Sequence, residues 1–410
     1  VLLVINVPEP DMQTRIEIAE GRRPRRDFYE LQRVLDADLL FLDAAETSRF
    51  ARVTRRLIGA RIAGRLALAQ MAFRRRGDYD IVFTDTDAVG LPFALFLKLS
   101  RTSSRSLRHV TLSHNLTSSR NRRAARGKRA LFRSGIRSHI DTMIVHSSAQ
   151  LALAVETFGM PAERVIRLPY HVDTAFWQPT QAIKPDPGNP STILIPGHEC
   201  RDYPTMLTAL RDLSVDAQIT TRAITPEQRD MASRPEWPAN LVFHEYDYLA
   251  LRDLYSRSSF VVVPLLPVDF QAGITVLLEA MAMGKAVVVT GVRGQTDVIN
   301  DPRGDVRRAV DRETWPGFLD EGEIDTTLRS SPTGFYVRPE DPGELRAKIE
   351  ELLADEEQAS LLGRNGRDVA QAMFSIEAFA ARFATAILGG ESGPHPAEAP
   401  LRQTASASNA

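Results

Sequence analysis

Between Val261 and Ile299 the sequence reads VVVPLLPVDFQAGITVLLEAMAMGKAVVVTGVRGQTDVI, and this stretch holds the residues best spaced for chemistry. A continuous apolar run, as a strand buried on both faces requires, leads into Gln271-Ala272-Gly273-Ile274-Thr275 and then a helix carrying Glu279. A glycine at a helix start lets a ligand approach the backbone closely. The free N–H groups and the helix dipole there favour an anion such as phosphate. Thr275 can cap the helix or bond a phosphate oxygen, and Glu279, four residues on, lies on the same helical face. A carboxylate beside an anion site suits a nucleotide, whose ribose hydroxyls it can accept. An ordinary strand–turn–helix with a solvated glutamate fits the same residues, because a lone glycine turn has low specificity.

The elements that must position these residues alternate along the chain. Strand signals fall at Leu2 to Val7, Asp38 to Asp43, Ile81 to Asp85, His109 to His114, Thr142 to His146 and Val165 to Pro169. Helical patterns separate them, among them a long amphipathic segment from Arg56 to Phe73 and another from Gly90 to Leu99. A Pro-rich stretch at 178–190 interrupts the series, as an inter-domain linker does. The alternation restarts at Ser191 to Gly197 and continues through strands near Ala217, Leu241, Phe260 and Ala286. Amphipathic helices from Pro342 to Leu388 close the second half, and the Gly/Ser/Pro/Ala-rich end from Gly389 is expected to be disordered. The fold class that follows is α/β, with two Rossmann-like doubly wound domains facing a central cleft. Ligands in such sheets bind beyond the carboxyl ends of the strands, so the loops there are where to look.

Composition narrows the class further. The 410 residues predict two domains, and 43% hydrophobic with 25% charged residues is ordinary for a globular enzyme. A single cysteine excludes a disulfide framework, and no apolar run approaches the ~20 residues that span a bilayer. The opening VLLVINVPEP lacks a basic n-region and reads as a buried strand, so the expected location is cytoplasmic. The net charge of −1 hides an imbalance: residues 101–140 carry eleven Arg or Lys and no acid. That stretch is either a solvated face or an attractor for an anionic membrane surface or a phosphorylated substrate. Nucleic-acid binding is disfavoured because the aromatics that stack on bases are missing from it. No GxSxG, Walker A or GxGxxG motif occurs, which argues against hydrolase, P-loop and dinucleotide readings.

LLEAMAMGKAVVVT, followed by Gly294 and Asp297, resembles the Glu-Ala-Met-Ala-x-Gly-x-x-Val-Val region of the family-4 retaining glycosyltransferases of the GT-B fold. LPYHVDTAFWQP (Leu168 to Pro179), IPGHECRDYPTMLTAL (Ile195 to Leu210), HEYDYLALRDLYSRSSFVVVP and GFYVRPEDPGEL (Gly334 to Leu345) are similar to further stretches of that family in the same order. The likeness covers roughly residues 140–388, and the first 140 residues only in general plan.

The resemblance implies a metal-independent enzyme without cofactor that moves a sugar from a nucleotide diphosphate sugar to an acceptor hydroxyl. It implies an acceptor domain at 1–177, the linker at 178–190, a nucleotide-sugar domain at 191–375 and a helix at 376–388 crossing back to the first domain. Glu279 would bind the ribose, and the backbone at Gly273, Ile274 and Thr275 the diphosphate or sugar. Arg201 would neutralise the departing diphosphate, a planar fork being suited to phosphate; the other reading is a surface arginine before a helix. Gly197 would admit the phosphate or merely turn the chain, and Glu199 would touch ligand or pair with Arg201. His114 would lie near the donor sugar or simply close its strand. His171 is expected to have a structural or gating role, Asp173 to fix a turn, and Lys285 to be a solvated cation at a helix end. His198-Glu199-Cys200 is no HExxH motif, and no metal site is expected.

One departure is Gln271, where the family carries a glutamate facing the donor sugar; Asp269 is two residues out of register. Either the amide serves there or the site is silent. A catalytically silent sugar-nucleotide-binding protein and a GT-B sugar-nucleotide epimerase are the alternatives. The acceptor remains open, with an anionic or membrane-associated molecule as one candidate.

Overall fold

In a computed structural model of the protein, the described residues are 1–100, 107–114, 122–179, 192–221, 224–234, 237–238, 241–268, 270–301 and 331–388. Most of the linker (180–190), the tail from 389, Asp269 and parts of the basic stretch (101–106 and 115–121) lie outside them.

The first sheet comprises β1 (Leu2–Ile5), β2 (Asp38–Phe41), β3 (Ile81–Thr84), β4 (Arg108–Leu112), β5 (Thr142–Val145) and β6 (Val165–Arg167). The second comprises β7 (Thr192–Pro196), β8 (Asp216–Thr221), β9 (Leu241–Glu245), β10 (Phe260–Val263), β11 (Val287–Thr290) and β12 (Gly334–Val337). Their orders are β2-β1-β3-β4-β5-β6 and β12-β11-β10-β7-β8-β9, and every pairing between named strands is parallel. Helices cover both faces, which is why β1, β3, β5, β10, β11 and β12 are buried along their whole length and are predominantly apolar, broken only by a threonine in β3, β5 and β11 and the opening glycine of β12. Each order reverses beside its first strand, at β1/β3 and at β7/β10, the topological switch points where ligands bind in open α/β sheets.

The expected single helix from Arg56 to Phe73 is two helices, Arg49–Ile58 and Ala60–Arg75, divided at Gly59. Gly59 has φ +78°, a left-handed conformation that an apolar periodicity cannot reveal. Helices Met12–Ala19 and Ser148–Glu156 add to those legible from pattern; the second carries a capping box in which Ser147 and Gln150 bond each other's backbone.

The last helix, Ile376–Leu388, packs on the first domain. Phe379, Ala380, Phe383 and Ile387 join the apolar layer of Leu3, Ile5, Phe83 and Leu112, with the Phe83 and Phe383 rings 4.8 Å apart. Val172 donates to the Phe374 carbonyl at 2.7 Å, and Arg25 ties Asp173 to Glu377 at 2.7 Å each. Burial alone would raise the Asp173 carboxyl, but bonds from the Arg25 side chain and backbone hold it below the usual carboxylate value. Among the described residues no helix is long and apolar enough to cross a membrane.

Candidate functional site

A pocket of about 330 Å³ opens at the carboxyl ends of β7 and β8 and beside the segment that follows β9, against the N-terminus of the helix Ile274–Ala282. It brings together Gly197, Glu199, Arg201, Gly273, Thr275 and Glu279, six of the residues marked by the sequence. Ile274 is packed in the adjoining apolar cluster, while Gln271 and His114 lie outside this pocket, near the first domain.

Arg201 is 5% exposed, which excludes the surface reading. Its Nε and Nη2 donate to the Pro196 carbonyl at 3.1 and 2.6 Å, and Nη1 donates to the Glu199 carbonyl at 2.7 Å. The alternative of a Glu199–Arg201 ion pair is therefore replaced by a bond to the Glu199 backbone. Among the described residues no carboxylate lies within salt-bridge distance of this guanidinium, and burial lowers its pKa to about 10. A buried cation fixed on two carbonyls is costly unless an anion joins it.

Two glycines make room for it. Gly197 (φ +80°) and Gly273 (φ +75°) both adopt the left-handed region. A Cβ on Gly197 would collide with Nη2 of Arg201, and one on Gly273 would come within 3.2 Å of Nη1. Gly273 is also the N-cap of the helix Ile274–Ala282, and no side chain caps it; the Ile274 N–H turns back to the Gln271 carbonyl at 3.3 Å, while Gly273, Thr275 and Val276 line the pocket beside the guanidinium. Glu279 accepts from the buried Tyr255 hydroxyl at 3.1 Å, which fixes the carboxylate toward the pocket wall. Burial and then the Glu279 charge push the Tyr255 phenol well above its ordinary pKa, so it stays a donor.

Tyr246, Tyr248 and Thr220 also line the pocket; the resemblance likens the HEYDYL stretch to the family's base-side loop without singling out either tyrosine, and it does not reach Thr220. Their signal is aromatic content just past the carboxyl end of β9. Lys285 departs from expectation: its Nζ donates to the Ser256 and Ser258 carbonyls at 2.9 and 2.7 Å, and burial lowers its pKa to about 8.

A second constellation spans the two domains. Gln271 is 9% exposed and donates to the His146 carbonyl at 3.4 Å, while its Oε1 has no hydrogen-bond partner. The His146 ring sits 5.0 Å from His114 and 4.8 Å from Tyr170, and its Nε2 also lacks a partner. Burial depresses the pKa of His114, and that of His146 well below the ordinary histidine value, so both rings are neutral at pH 7. His171 is held between Tyr170 and Phe379 at 4.8 and 4.4 Å. The Asp297 carboxylate accepts from the Ser148 N–H at 2.6 Å, at the start of the helix Ser148–Glu156, and so joins the second domain to the first. Among the described residues no group of three His, Cys, Asp or Glu is spaced to hold a metal.

On the first-domain side, Asp85 follows β3 and accepts from the Asn6 N–H at 2.7 Å, with its other oxygen lacking a partner. Burial raises its carboxyl to about 7, against that one bond. The folded value exceeds the free value of 3.8, so the unfolded chain ionises first as pH rises and folding stability falls across that window. Asp85→Asn is therefore expected to be more stable than the parent at pH 8, the advantage vanishing toward pH 4. Urea denaturation across that range tests it, and a constant difference would contradict the burial argument.

Residues 216–315 match the protein-family model described as Glycosyl transferases group 1. No curated protein matches the chain by sequence. Among solved structures, sucrose-phosphate synthase from Thermosynechococcus elongatus superposes with a TM-score of 0.65 at 16% identity, covering 95% of this chain and 98% of that chain. A glycosyltransferase from Rickettsia africae has a TM-score of 0.63 at 14% identity, covering 95% and 99%. Anabaena HepE, solved with UDP and glucose, has a TM-score of 0.61 at 13% identity, again covering 95% and 99%. At these identities the likeness is one of fold, and that fold is GT-B. The family match over 216–315 supports assignment as a glycosyltransferase.

Proposed function

We propose that the chain is a retaining, metal-independent glycosyltransferase that moves a sugar from a nucleoside diphosphate sugar to an acceptor hydroxyl. The observation that carries this reading is Arg201, a buried guanidinium without a carboxylate partner among the described residues, set beside an uncapped helix N-terminus. Together they offer two sources of positive potential for a diphosphate, the charge a divalent ion would otherwise supply. Glu279 accepts from the ribose hydroxyls, and Tyr246 and Tyr248 flank the nucleoside. The family match and the UDP complex of Anabaena HepE favour such a donor.

With the diphosphate there, the sugar extends toward Gln271 and His146, whose free Oε1 and Nε2 are suited to hydroxyls. The acceptor oxygen bonds to the anomeric carbon on the face from which the diphosphate departs, as the bond from that carbon to phosphate breaks. The acceptor proton passes to the leaving phosphate oxygen. Arg201 stabilises the growing charge on that group. Neutral His114 and His146 bond hydroxyls without repelling the cationic sugar centre, and the Gln271 amide does the same without adding charge. The acceptor enters from the first domain.

Thermal-shift titration with nucleoside diphosphates is expected to raise the melting temperature, by about 2.7 kcal/mol of stabilisation at a hundred times Kd. With donor and acceptor together, free nucleoside diphosphate accumulates in the presence of EDTA, and proton NMR of the product reports the retained anomeric configuration. Binding without release points to a silent binding protein, and product without acceptor to an epimerase; either outcome sinks the proposal.

A further inference from the structure

We propose that the helix Arg49–Ile58 and the start of Ala60–Arg75 form a docking surface for an anionic lipid membrane. Of the ten residues in the first helix only Ala51 is buried. Val53 is 61% exposed, Leu57 82% and Ile62 59%, although exposed large apolar side chains are rare enough in one place to need a reason. At 100° per residue, the exposed Val53, Leu57 and Ile58 fall on one side of the helix, which Phe50 shares while packing on the first-domain core, whereas Arg49, Arg52, Arg55 and Arg56 occupy the opposite side. Arg61 extends the basic side past Gly59.

Among the described residues none of these five arginines forms an ion pair, and the helix Arg49–Ile58 carries no acid. The acids just before it in sequence, Asp43 and Glu46, lie on the short helix Leu42–Glu46. Exposed aliphatic side chains bordered by unpaired arginines are the pattern of a helix lying in a lipid interface, its apolar edge among the acyl chains and its cations at anionic headgroups.

Charge selects this occupant. A second copy meeting the same patch across a twofold would set arginines against arginines. Nucleic acid would satisfy the charge, but the exposed apolar side chains are aliphatic, and bases stack on aromatic rings. The placement is consistent with access to the cleft. In the following helix Arg65 donates to the Asn6 side chain at 3.3 Å, and Asn6 lies just past the carboxyl end of β1. Asn6 after β1 and His146 after β5 lie at the same, carboxyl end of the first sheet, with β3 and β4 between their strands. Surface docking does not depend on the chemistry proposed for the cleft, and its test needs no turnover.

The full chain is sedimented with vesicles of phosphatidylcholine alone or with about 30% phosphatidylglycerol. Binding to the mixed vesicles is expected at least about tenfold tighter, released by about 0.5 M salt. Val53→Ser/Leu57→Ser and Arg52→Gln/Arg55→Gln are each expected to weaken it about tenfold or more with the melting temperature unchanged, since all four side chains are exposed. Three results would overturn the proposal. They are equal or absent binding to the two vesicle types, affinity unchanged in both variants, or a single-stranded oligonucleotide outcompeting the vesicles. Self-association of the parent that Leu57→Ser abolishes would assign the surface to a second copy instead.

Discussion

Arg201→Met is expected to lower kcat for sugar transfer by about 10²–10³, the usual cost of removing one preorganised group that stabilises developing charge. The same change should abolish most of the thermal shift caused by a nucleoside diphosphate. Its effect on the unliganded protein should be small, because two terms oppose each other. The Pro196 and Glu199 carbonyls lose their guanidinium donors, which costs about 1–3 kcal/mol per buried group left unsatisfied. Against that, a buried charge without a carboxylate partner among the described residues is removed, and replacing such a charge by an apolar side chain of similar volume is often neutral or stabilising. Arg201→Lys keeps the charge but loses the fork, and cannot hold both carbonyls while reaching a ligand. It should recover little activity. A variant with unchanged turnover and unchanged ligand shift would remove Arg201 from the site. A collapse of the unliganded protein, with normal turnover in what remains folded, would make it a structural residue.

The contrast between Arg201 and Glu279 explains what the sequence could disclose. Glu279 was legible because its neighbours are local: a glycine turn, a helix and an i, i+4 spacing that places Thr275 and Glu279 on one face. Most strands were legible for a similar reason, since Leu2–Ile5, covered on both faces, leaves an unbroken apolar run, whereas the short Gly334–Val337, opened by a glycine, was not read as a strand. Arg201 sits in the same pocket, yet its burial depends on glycines at 197 and 273, the second 72 residues away. Nothing in the residues around Arg201 separates that fate from a solvated surface position.

The constellation at the domain boundary is harder still. His114, His146, Tyr170 and Gln271 converge from four separate loops, and the Gln271–His146 bond spans 125 residues. Patterning records which face of an element is buried, not which loop ends meet. Lys285 misled for the opposite reason: a helix-end lysine usually reaches water, but here its stem lies along the protein and its ammonium caps the Ser256 and Ser258 carbonyls. Likewise the basic segment 101–140 drew attention by its count of cations. The more strongly marked surface, Arg49–Ile58, holds only four, and stands out through exposed aliphatics that no composition window registers.

Gly294→Ala should produce the largest structural effect of any single methyl group near the site. A Cβ at 294 would fall on the carbonyl carbon and oxygen of Phe270 and lie 2.8 Å from the Gln271 nitrogen. These are backbone atoms, so no rotamer change relieves the clash, and residues 270–273 must move. The loop has little freedom to do so. Gln295 donates from its side chain to the Ala272 carbonyl, and Gln271 is held to His146 in the other domain. Tyr336 further locks the segment by donating its hydroxyl to the Gln295 carbonyl at 2.6 Å. Overpacking of this kind costs about 1–3 kcal/mol, and the displacement is carried directly into Gly273 and the helix N-terminus. Turnover should therefore fall even where the variant remains folded, because a misplacement of about 1 Å in a positioning group can cost ~10² in rate. Gly77→Ala is the control: a Cβ there meets nothing within 4 Å, and both stability and activity should be unchanged. If both variants lose stability alike, the loss is not from the contact with Phe270. If Gly294→Ala keeps full turnover and full nucleoside diphosphate binding, the 270–273 loop does not hold the donor, and Gln271 loses its place beside the sugar.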